Sequence, residues 1–423
     1  MSELTPGSEL RPRSELRARN GVPKIAGIAR HGRLRRSNPW PFVAKFVGAA
    51  LAVVLVSGAS VGAIAVNGLT SKVDTVELIQ PTEGPIPQIG AIDGGFNILI
   101  VGSDTRLGQG GIGGDEEEET GELNDVNMLL HVSQDQTNAV AISFPRDLVV
   151  GIPECAWEDG SGNKGYSTEP LNTAYYYGGL PCVALTIEEL TGLPIQFAGV
   201  ITFRGVIAMA DAVGGVNVCV TGPVQDEGID LPAAGEYTLY GPEALAFLRT
   251  RAAVGDGSDL TRISSQQVYL SSLVRTLKSS QTLGDVRKVY NLANAALSNM
   301  KLSSSLANAT TMTSIALALK DIPLERVTFV QYPGLTGQTE GIYAGKVRPN
   351  EYLGSQLMDL VRADQPFVLD AAGDGRGSEI NPNAAPLPVD PDAPAVDNAS
   401  LPVLSGVPGQ TAADQTCSIA NDY

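Results

Sequence analysis

Residues 96–106, FNILIVGSDTR, and residues 124–147, NDVNMLLHVSQDQTNAVAISFPRD, decide the fold. They hold three apolar runs, Phe96–Val101, Val126–Val132 and Ala139–Phe144, each bounded by turn or charged residues, and this spacing predicts three short β-strands. The polar run SQDQTN joins the second to the third, so an antiparallel hairpin is the simplest connection. A hairpin sets Asp125, at the start of its first strand, beside Arg146 and Asp147 at the end of its second. If the Phe96 strand runs parallel to the third, Asp104 and Arg106 emerge at that same edge, where open α/β sheets hold their ligands. Three carboxylates and two guanidiniums meeting there suit a metal ion together with an anion such as phosphate. Taken singly, such residues are ordinary solvated flanks of strands. Their convergence carries the inference.

Downstream, Leu171–Tyr175 precedes a tight Gly178-Gly179 turn, and Pro181–Thr191 reads as a helix with Val183, Ile187 and Leu190 on one face. Phe197–Ile201 (strand), Phe203–Val213 (helix, stopped by Gly214-Gly215) and Val216–Val220 (strand) follow. This rhythm predicts an α/β fold with a mixed central sheet sandwiched by helices. The two helices carry more apolar face than one sheet needs, which suits either a slot for a lipid tail or ordinary core packing. Gly241-Pro242 opens a helix ending in Arg249 and Arg251, two residues apart and so unable to share a helical face. Asp259 is read as the cap of a long helix from about Leu260 to Ser279, with Ile263, Leu270, Leu273, Val274 and Leu277 inward. Arg262 falls in its first turn, where a cation opposes the helix dipole unless an anion or carboxylate compensates. Val327–Tyr332 reads as a strand and Tyr352–Arg362 as a last helix.

The net charge of −17 hides an asymmetry. Residues 1–45 carry ten Lys/Arg against three Glu and lack apolar periodicity, which predicts a disordered basic segment. Phe46–Val66 is about twenty residues without a charge, long enough for a membrane-spanning helix, and the basic block before it puts the N-terminus in the cytoplasm and the rest outside. A small-residue site at Ala63-Ile64-Ala65 leaves a cleaved signal peptide as the alternative, but the long basic N-region favours a retained anchor. Residues 67–95 hold a short helix-capable piece and then a Pro/Gly-rich linker or sheet-edge extension, 96–364 form the extracytoplasmic domain, and 365–423 read as a disordered Pro/Asp-rich tail. The Gly-rich run after the first strand lacks Gly-Lys-Ser/Thr, against a nucleotide P-loop, and Asp115–Glu119 reads as a solvated loop at the mouth of the site. Nucleic acid is not expected as a partner, since basic charge beside a membrane span serves orientation and lipid contact.

Four cysteines lie on the predicted outer side, where disulfides persist. Of three possible pairings, Cys155 with Cys182 clips the post-hairpin loop to a helix start, leaving Cys219 with Cys417, which would tether the tail. No Ser-His-Asp or Cys-His constellation is offered by the two histidines, His31 on the cytoplasmic side and His131 within an apolar strand. Any chemistry must therefore work through carboxylates, guanidiniums and a metal, as phosphoryl transfer does.

The blocks ILIVGSDTR, NDVNMLLHVS, AVAISFPRDLVVGIP, LNTAYYYGG, VITFRGVIAMADAVGGVNV and GPEALAFLRTRAAVGDGSDLTRISSQQ, in that order from about Phe96 to Leu277, resemble the LytR-CpsA-Psr family. The resemblance implies a membrane-anchored extracytoplasmic transferase that moves a glycopolymer from a polyprenyl-pyrophosphate carrier onto peptidoglycan, or onto a surface glycoprotein. It implies that Asp104 and Asp125 hold Mg²⁺ (or Mn²⁺) against the pyrophosphate. It further implies that Arg146, Arg249, Arg251 and Arg262 grip that pyrophosphate, that Asp147 and Asp259 orient the arginines, and that Arg106 is a weaker candidate. The implied reaction is attack by an acceptor hydroxyl, the 6-OH of a muramic acid residue, on the glycan-side phosphorus. Ser265 stands where many members have Arg, which puts one corner of the site in question. The competing readings are a hydrolase of the same pyrophosphate and a non-catalytic wall-binding or regulatory protein.

Overall fold

The computed structural model describes residues 74–78, 94–105, 109, 112, 122–157, 160–279, 286–307, 309–387 and 397–421. The basic segment, the apolar span Phe46–Val66, Arg106 and the acidic run Asp115–Glu119 lie outside the described residues. No helix among the described residues is long and apolar enough to cross a membrane.

The strands that position the site are, in chain order, β1 (Asp74–Val76), β2 (Phe96–Ser103), β3 (Asn124–Val132), β4 (Ala139–Phe144), β5 (Val149–Ile152), β6 (Cys155–Ala156), β7 (Asn163–Lys164), β8 (Ser167–Pro170), β9 (Phe197–Ile201), β10 (Val216–Val220), β11 (Gly235–Leu239), β12 (Met300–Ser303), β13 (Val327–Gln331), β14 (Ser378–Ile380), β15 (Gly409–Thr411) and β16 (Thr416–Ser418). The helices are α1 (Thr173–Thr191), α2 (Phe203–Val213), α3 (Gly241–Arg249), α4 (Asp259–Lys278), α5 (Val286–Ser298), α6 (Ala309–Lys320) and α7 (Glu351–Arg362).

Among the described residues an eight-stranded mixed sheet has the order β1-β12-β9-β2-β3-β4-β13-β15. β3 is antiparallel to both β2 and β4, so β2 runs parallel to β4 as the hairpin reading requires. The pleat sends alternate side chains to opposite faces. Leu99, Val101, Leu129 and Ile142 pack against α1 and α7, while Ile98, Met128 and Ala141 join residues of α5 and α6. Both faces are thus covered, and each fully buried side chain such as Leu99 contributes about 1.5–3 kcal/mol of transfer free energy. α1 is interrupted at Gly178 and Gly179, the latter at φ 59°, which breaks a single first turn from the longer apolar segment.

Three expectations are corrected. The piece before the linker read as helix-capable contains β1, whose edge pairing with β12 supplies the hydrogen bonds a short isolated helix would lack. Ser258, not Asp259, caps α4, its hydroxyl accepting from Thr261 N, and Asp259 is the first helical residue. The tail read as disordered is folded wherever it is described: β15 pairs with β13 at the edge of the large sheet, and β16 lies between β10 and β14 in a second, four-stranded sheet. Runs of three residues are too short to show periodicity; tertiary pairing makes these strands. Both favoured cysteine pairs are within bonding distance, Cys155 with Cys182 (Cα–Cα 5.6 Å) and Cys219 with Cys417 (4.3 Å).

Candidate functional site

The sheet geometry brings the ends of β2 and β4 and the start of β3 to one edge, and α4 begins over it. At Gly102/Ser103 the β2–β3 register shifts, as a bulge produces, and β2 ends one residue before Asp104. Asp104 N donates to Leu123 O at 3.2 Å and its Oδ1 accepts from Leu123 N at 2.8 Å. Arg146, one residue past Pro145, donates from Nη1 to Asp125 Oδ1 at 2.6 Å; its Nε lies 3.6 Å from Asp147 Oδ2 and 3.9 Å from Asp259 Oδ1. The backbone N of Arg146 also donates to Asp259 Oδ2 at 3.3 Å, which fastens the start of α4 to the end of β4.

Arg262 donates from Nη2 to Asp259 Oδ1 and to the carbonyl of Asp125 at 3.2 Å. Asp259 is therefore the carboxylate that offsets a cation in the first turn of a helix. Burial acts to lower both guanidiniums. For Arg146 the hydrogen bond and charge of Asp125, with Asp147 and Asp259, outweigh it and raise the pKa. For Arg262 burial prevails: Asp259 and Asp125 oppose it, Arg251 and Arg146 reinforce it, and the pKa is lowered. The Arg262 side chain is 5% exposed, and its buried Nε has no hydrogen-bond acceptor among the described residues. A buried cation cluster with an idle donor is suited to an incoming anion, and Arg binds phosphate oxygens two at a time.

Asp125 and Arg262 of this cluster, joined by Arg249 and Arg251, form one end of a cavity of about 400 Å³, within the range of small-molecule sites; Arg146, Asp147 and Asp259 do not line it. Ser103, Asp125, Arg249, Arg251, Arg262 and Gln266 give it polar groups. Ile100 and Met128 from the sheet, Val206 and Met209 from α2, Leu245 from α3, and Leu270 and Leu273 from α4 give it apolar walls. From Arg262 to Leu273 the wall follows α4 for eleven residues, about 16 Å at ~1.5 Å per residue. A site graded this way, cationic at the strand ends and apolar along the helix, fits an amphiphile with an anionic head.

Arg249 and Arg251 both line the cavity although two residues apart, because α3 ends at Arg249 and Thr250 turns to φ −59°, ψ 139°. Arg249 stacks over the Phe203 ring, 4.4 Å from its centroid. Asp104 does not line the cavity; it stands one residue beyond Ser103, which does. α2 forms a cavity wall, whereas the apolar face of Pro181–Thr191 is spent in the core, so only one of the two helices serves a slot. Leu270 and Leu273, inward as read, pack against the core and also line the cavity. Ser265 points elsewhere, its Oγ 2.8 Å from Ser418 Oγ under β16, so a serine there removes no cation from this cavity.

Two residues at the edge were not anticipated. Lys346 Nζ lies 2.7 Å from Asp147 Oδ1, carried there because Val347 bridges to Leu148, and nothing in the AGKVRP run signals it. Gln266, whose Nε2 donates to Leu248 O, ties α4 to α3 at the cavity wall; its place one turn past Arg262 was the available signal. His131, as read, is structural: buried, with Nδ1 2.8 Å from Asn97 Oδ1 and Nε2 3.0 Å from Asp364 Oδ1.

A model of the LytR_cpsA_psr family matches residues 65–356. The chain is 30% identical over 282 residues to the cell wall biosynthesis protein LcpA of Corynebacterium glutamicum, covering 61% of this chain and 53% of that protein. It is 26% identical over 330 residues to the polyisoprenyl-teichoic acid–peptidoglycan teichoic acid transferase TagT of Bacillus subtilis, covering 75% of this chain and 92% of that one. The match thus spans about half the length of the Corynebacterium relative. In fold the chain is similar to a LytR-Csp2A-Psr enzyme from Actinomyces oris, with TM-score 0.50 and 22% identity over 69% of this chain and 96% of that one.

Proposed function

The chain belongs to the LytR-CpsA-Psr family, and from that premise we propose that it is a membrane-anchored phosphotransferase moving a glycopolymer from a polyprenyl-pyrophosphate carrier to peptidoglycan. The observation that carries this reading is the graded cavity, whose apolar length suits an isoprenoid tail and whose arginines suit a pyrophosphate. In the reaction the acceptor hydroxyl oxygen bonds to the glycan-side phosphorus, the bridging P–O bond breaks, and polyprenyl phosphate leaves with the bonding electrons. The hydroxyl proton goes to a base that is not assigned; Asp104 and Asp125 at the strand ends are candidates only where a metal does not fully occupy them. Arg146 and Arg262, already fixed by Asp125 and Asp259, receive the charge that builds on the leaving phosphate without reorganising, which is how a preorganised site lowers such a barrier.

Mg²⁺ is proposed as the cofactor. Asp104 and Asp125 come from neighbouring strands, and such a pair fits an ion that takes one or two carboxylates and completes its shell with substrate phosphate and water. When bound, it would neutralise pyrophosphate charge. Phe46–Val66 is proposed as the anchor, with the domain extracytoplasmic.

The test uses the purified full-length chain in detergent with a polyprenyl-pyrophosphoryl oligosaccharide and peptidoglycan. A glycan–peptidoglycan phosphodiester that disappears with EDTA and returns with Mg²⁺ is expected. Only free phosphorylated glycan would indicate a hydrolase, and no turnover would indicate a binding protein.

A further inference from the structure

Beside the candidate site, on the other face of the large sheet from the cavity, lies a group of aromatic rings that the transfer chemistry does not use. Trp157 stands edge-on to Tyr176 and Tyr177, with centroids 6.3 and 5.6 Å away, and the two tyrosines are 5.6 Å apart. Tyr176 is 55% exposed. The group is held stiffly. The Cys155–Cys182 bond clips the β6–β7 hairpin to α1, and Trp157 N donates to Gly162 O at 2.8 Å. At Gly178 a Cβ would lie 2.6 Å from Ala156 O, so the hairpin rests directly on the break in α1. Tyr177 donates its hydroxyl to Glu169 Oε2 at 2.5 Å and carries Lys164 Nζ 4.6 Å from its ring centroid.

The turn that bears the patch is fastened to the segments that bear the arginine cluster. Asn172 N donates to Arg146 O at 2.9 Å, and Tyr175 N to Asn124 Oδ1 at 3.2 Å, so the turn bearing Tyr176 is bolted to the residues flanking Asp125 and Arg146. The strands separate the two regions by their pleat: Ile100 and Met128 line the cavity, while Leu99, Val101 and Leu129 pack with Leu171, Ala174 and Tyr175 of the α1 side. The cavity thus lies on one face of the sheet and the α1 turn bearing the rings on the other, with Tyr176 exposed and Trp157 and Tyr177 half-buried.

We propose that Trp157 and Tyr176 form a saccharide subsite that stacks uncharged pyranose units next to the phosphoryl-transfer cluster. This deepens, and rests on, the transfer reading above. A pyranose presents polarised C–H bonds on its ring face, which meet the negative face of an aromatic ring, while its hydroxyls need donors and acceptors at the rim. Lys164, Glu169 and Asn163 supply them at this rim. Aromatic residues also gather at membrane surfaces, but the charges at this patch are acidic in balance, Lys164 standing against Glu154 and Glu169, with Glu158 and Asp159 next to Trp157 in sequence, a charge that an anionic leaflet repels. The same carboxylates disfavour a phosphate-rich chain, leaving an uncharged pyranose, which either the donor glycan or the amino sugars between the muramic acid residues of the acceptor strand can provide.

The chain has two tryptophans, so Trp40→Phe leaves Trp157 as the only indole reporter in the full-length protein. Titration with soluble peptidoglycan glycan strands stripped of peptide, and separately with the oligosaccharide of the donor freed of its carrier, should give a saturable change in Trp157 emission with at least one of them. Tyr176→Ala should weaken that binding about tenfold, with Tyr176→Phe restoring it. In steady-state transfer Tyr176→Ala and Trp157→Ala should raise KM for the same saccharide source about tenfold, with kcat within about twofold; the substrate affected identifies the source. No saturable response to either saccharide together with unchanged KM values overturns the proposal, as does a response to anionic phospholipid vesicles alone. Saccharide binding without any turnover would refute the transfer reading and leave the subsite standing.

Discussion

Asp259 Oδ1 accepts from Arg262 within the first turn of α4 and lies 3.9 Å from Arg146 Nε at the end of β4, so one carboxylate joins two guanidiniums from segments more than a hundred residues apart. Asp259 is itself held through Oδ2 by the backbone N of Arg146, so Arg262, which lines the cavity end, meets a ligand without a large entropy of ordering.

Removing one clamp should therefore cost rate rather than fold. Arg262→Lys keeps the charge but loses the planar fork, and we expect transfer to fall by about 10²–10³, as for loss of one preorganised donor, with an unchanged circular dichroism spectrum. Asp259→Asn should do likewise by loosening Arg262, which then keeps only the Asp125 carbonyl, while Arg146 stays on Asp125. Retained transfer in both variants would remove the clamp from the mechanism.

Filling the cavity tests its apolar half separately. Val206 and Met209 both line it from α2, and Met209→Trp should block a long isoprenoid tail while leaving thermal stability equal or higher, because a void is filled rather than made. A polyprenyl donor should lose activity far more than a donor with a short, two- or three-isoprene tail.

The C-terminal strand should matter to the site although residues 357–423 lie outside the family match. Gly255 N donates to Ile419 O, Asn421 N donates to Ala253 O, and Asp374 Oδ2 accepts from Ser264 Oγ at 2.6 Å, so the tail braces the loop between Arg251 and Arg262. At Gly255, φ 51°, a Cβ would lie 2.7 Å from Arg376 O, which shows how closely the tail is seated. Replacing Cys219 and Cys417 together by serine should lower stability by about 2–5 kcal/mol and reduce transfer below the unfolding temperature. Differential scanning calorimetry and the transfer assay would check both.

Acid should destabilise the domain through His131. Burial lowers its pKa below 6.5 despite Asp364 nearby, so the unfolded chain binds the proton first. Stability is then constant above about pH 6.5 and declines as the pH falls toward the folded pKa. In urea unfolding between pH 7.5 and 5.5, His131→Gln should show a shallower decline than the parent; an identical slope would assign the loss elsewhere.

What the sequence determined by itself was local and periodic. Apolar runs at 96–101, 126–132 and 139–144 sufficed for three strands, a polar six-residue connection for the hairpin, and these two together for the meeting of Asp125 with Arg146 and Asp147. The pairing of Cys155 with Cys182 and of Cys219 with Cys417 was also legible, because few arrangements were open. Tertiary structure alone decided the rest. Lys346 reaches Asp147 through a bridge formed 199 residues away, and β15 and β16 are strands only because a sheet edge and a gap in a second sheet receive them. Short segments carry too little propensity to declare themselves, since their backbone hydrogen bonds and burial come from partners distant in the chain.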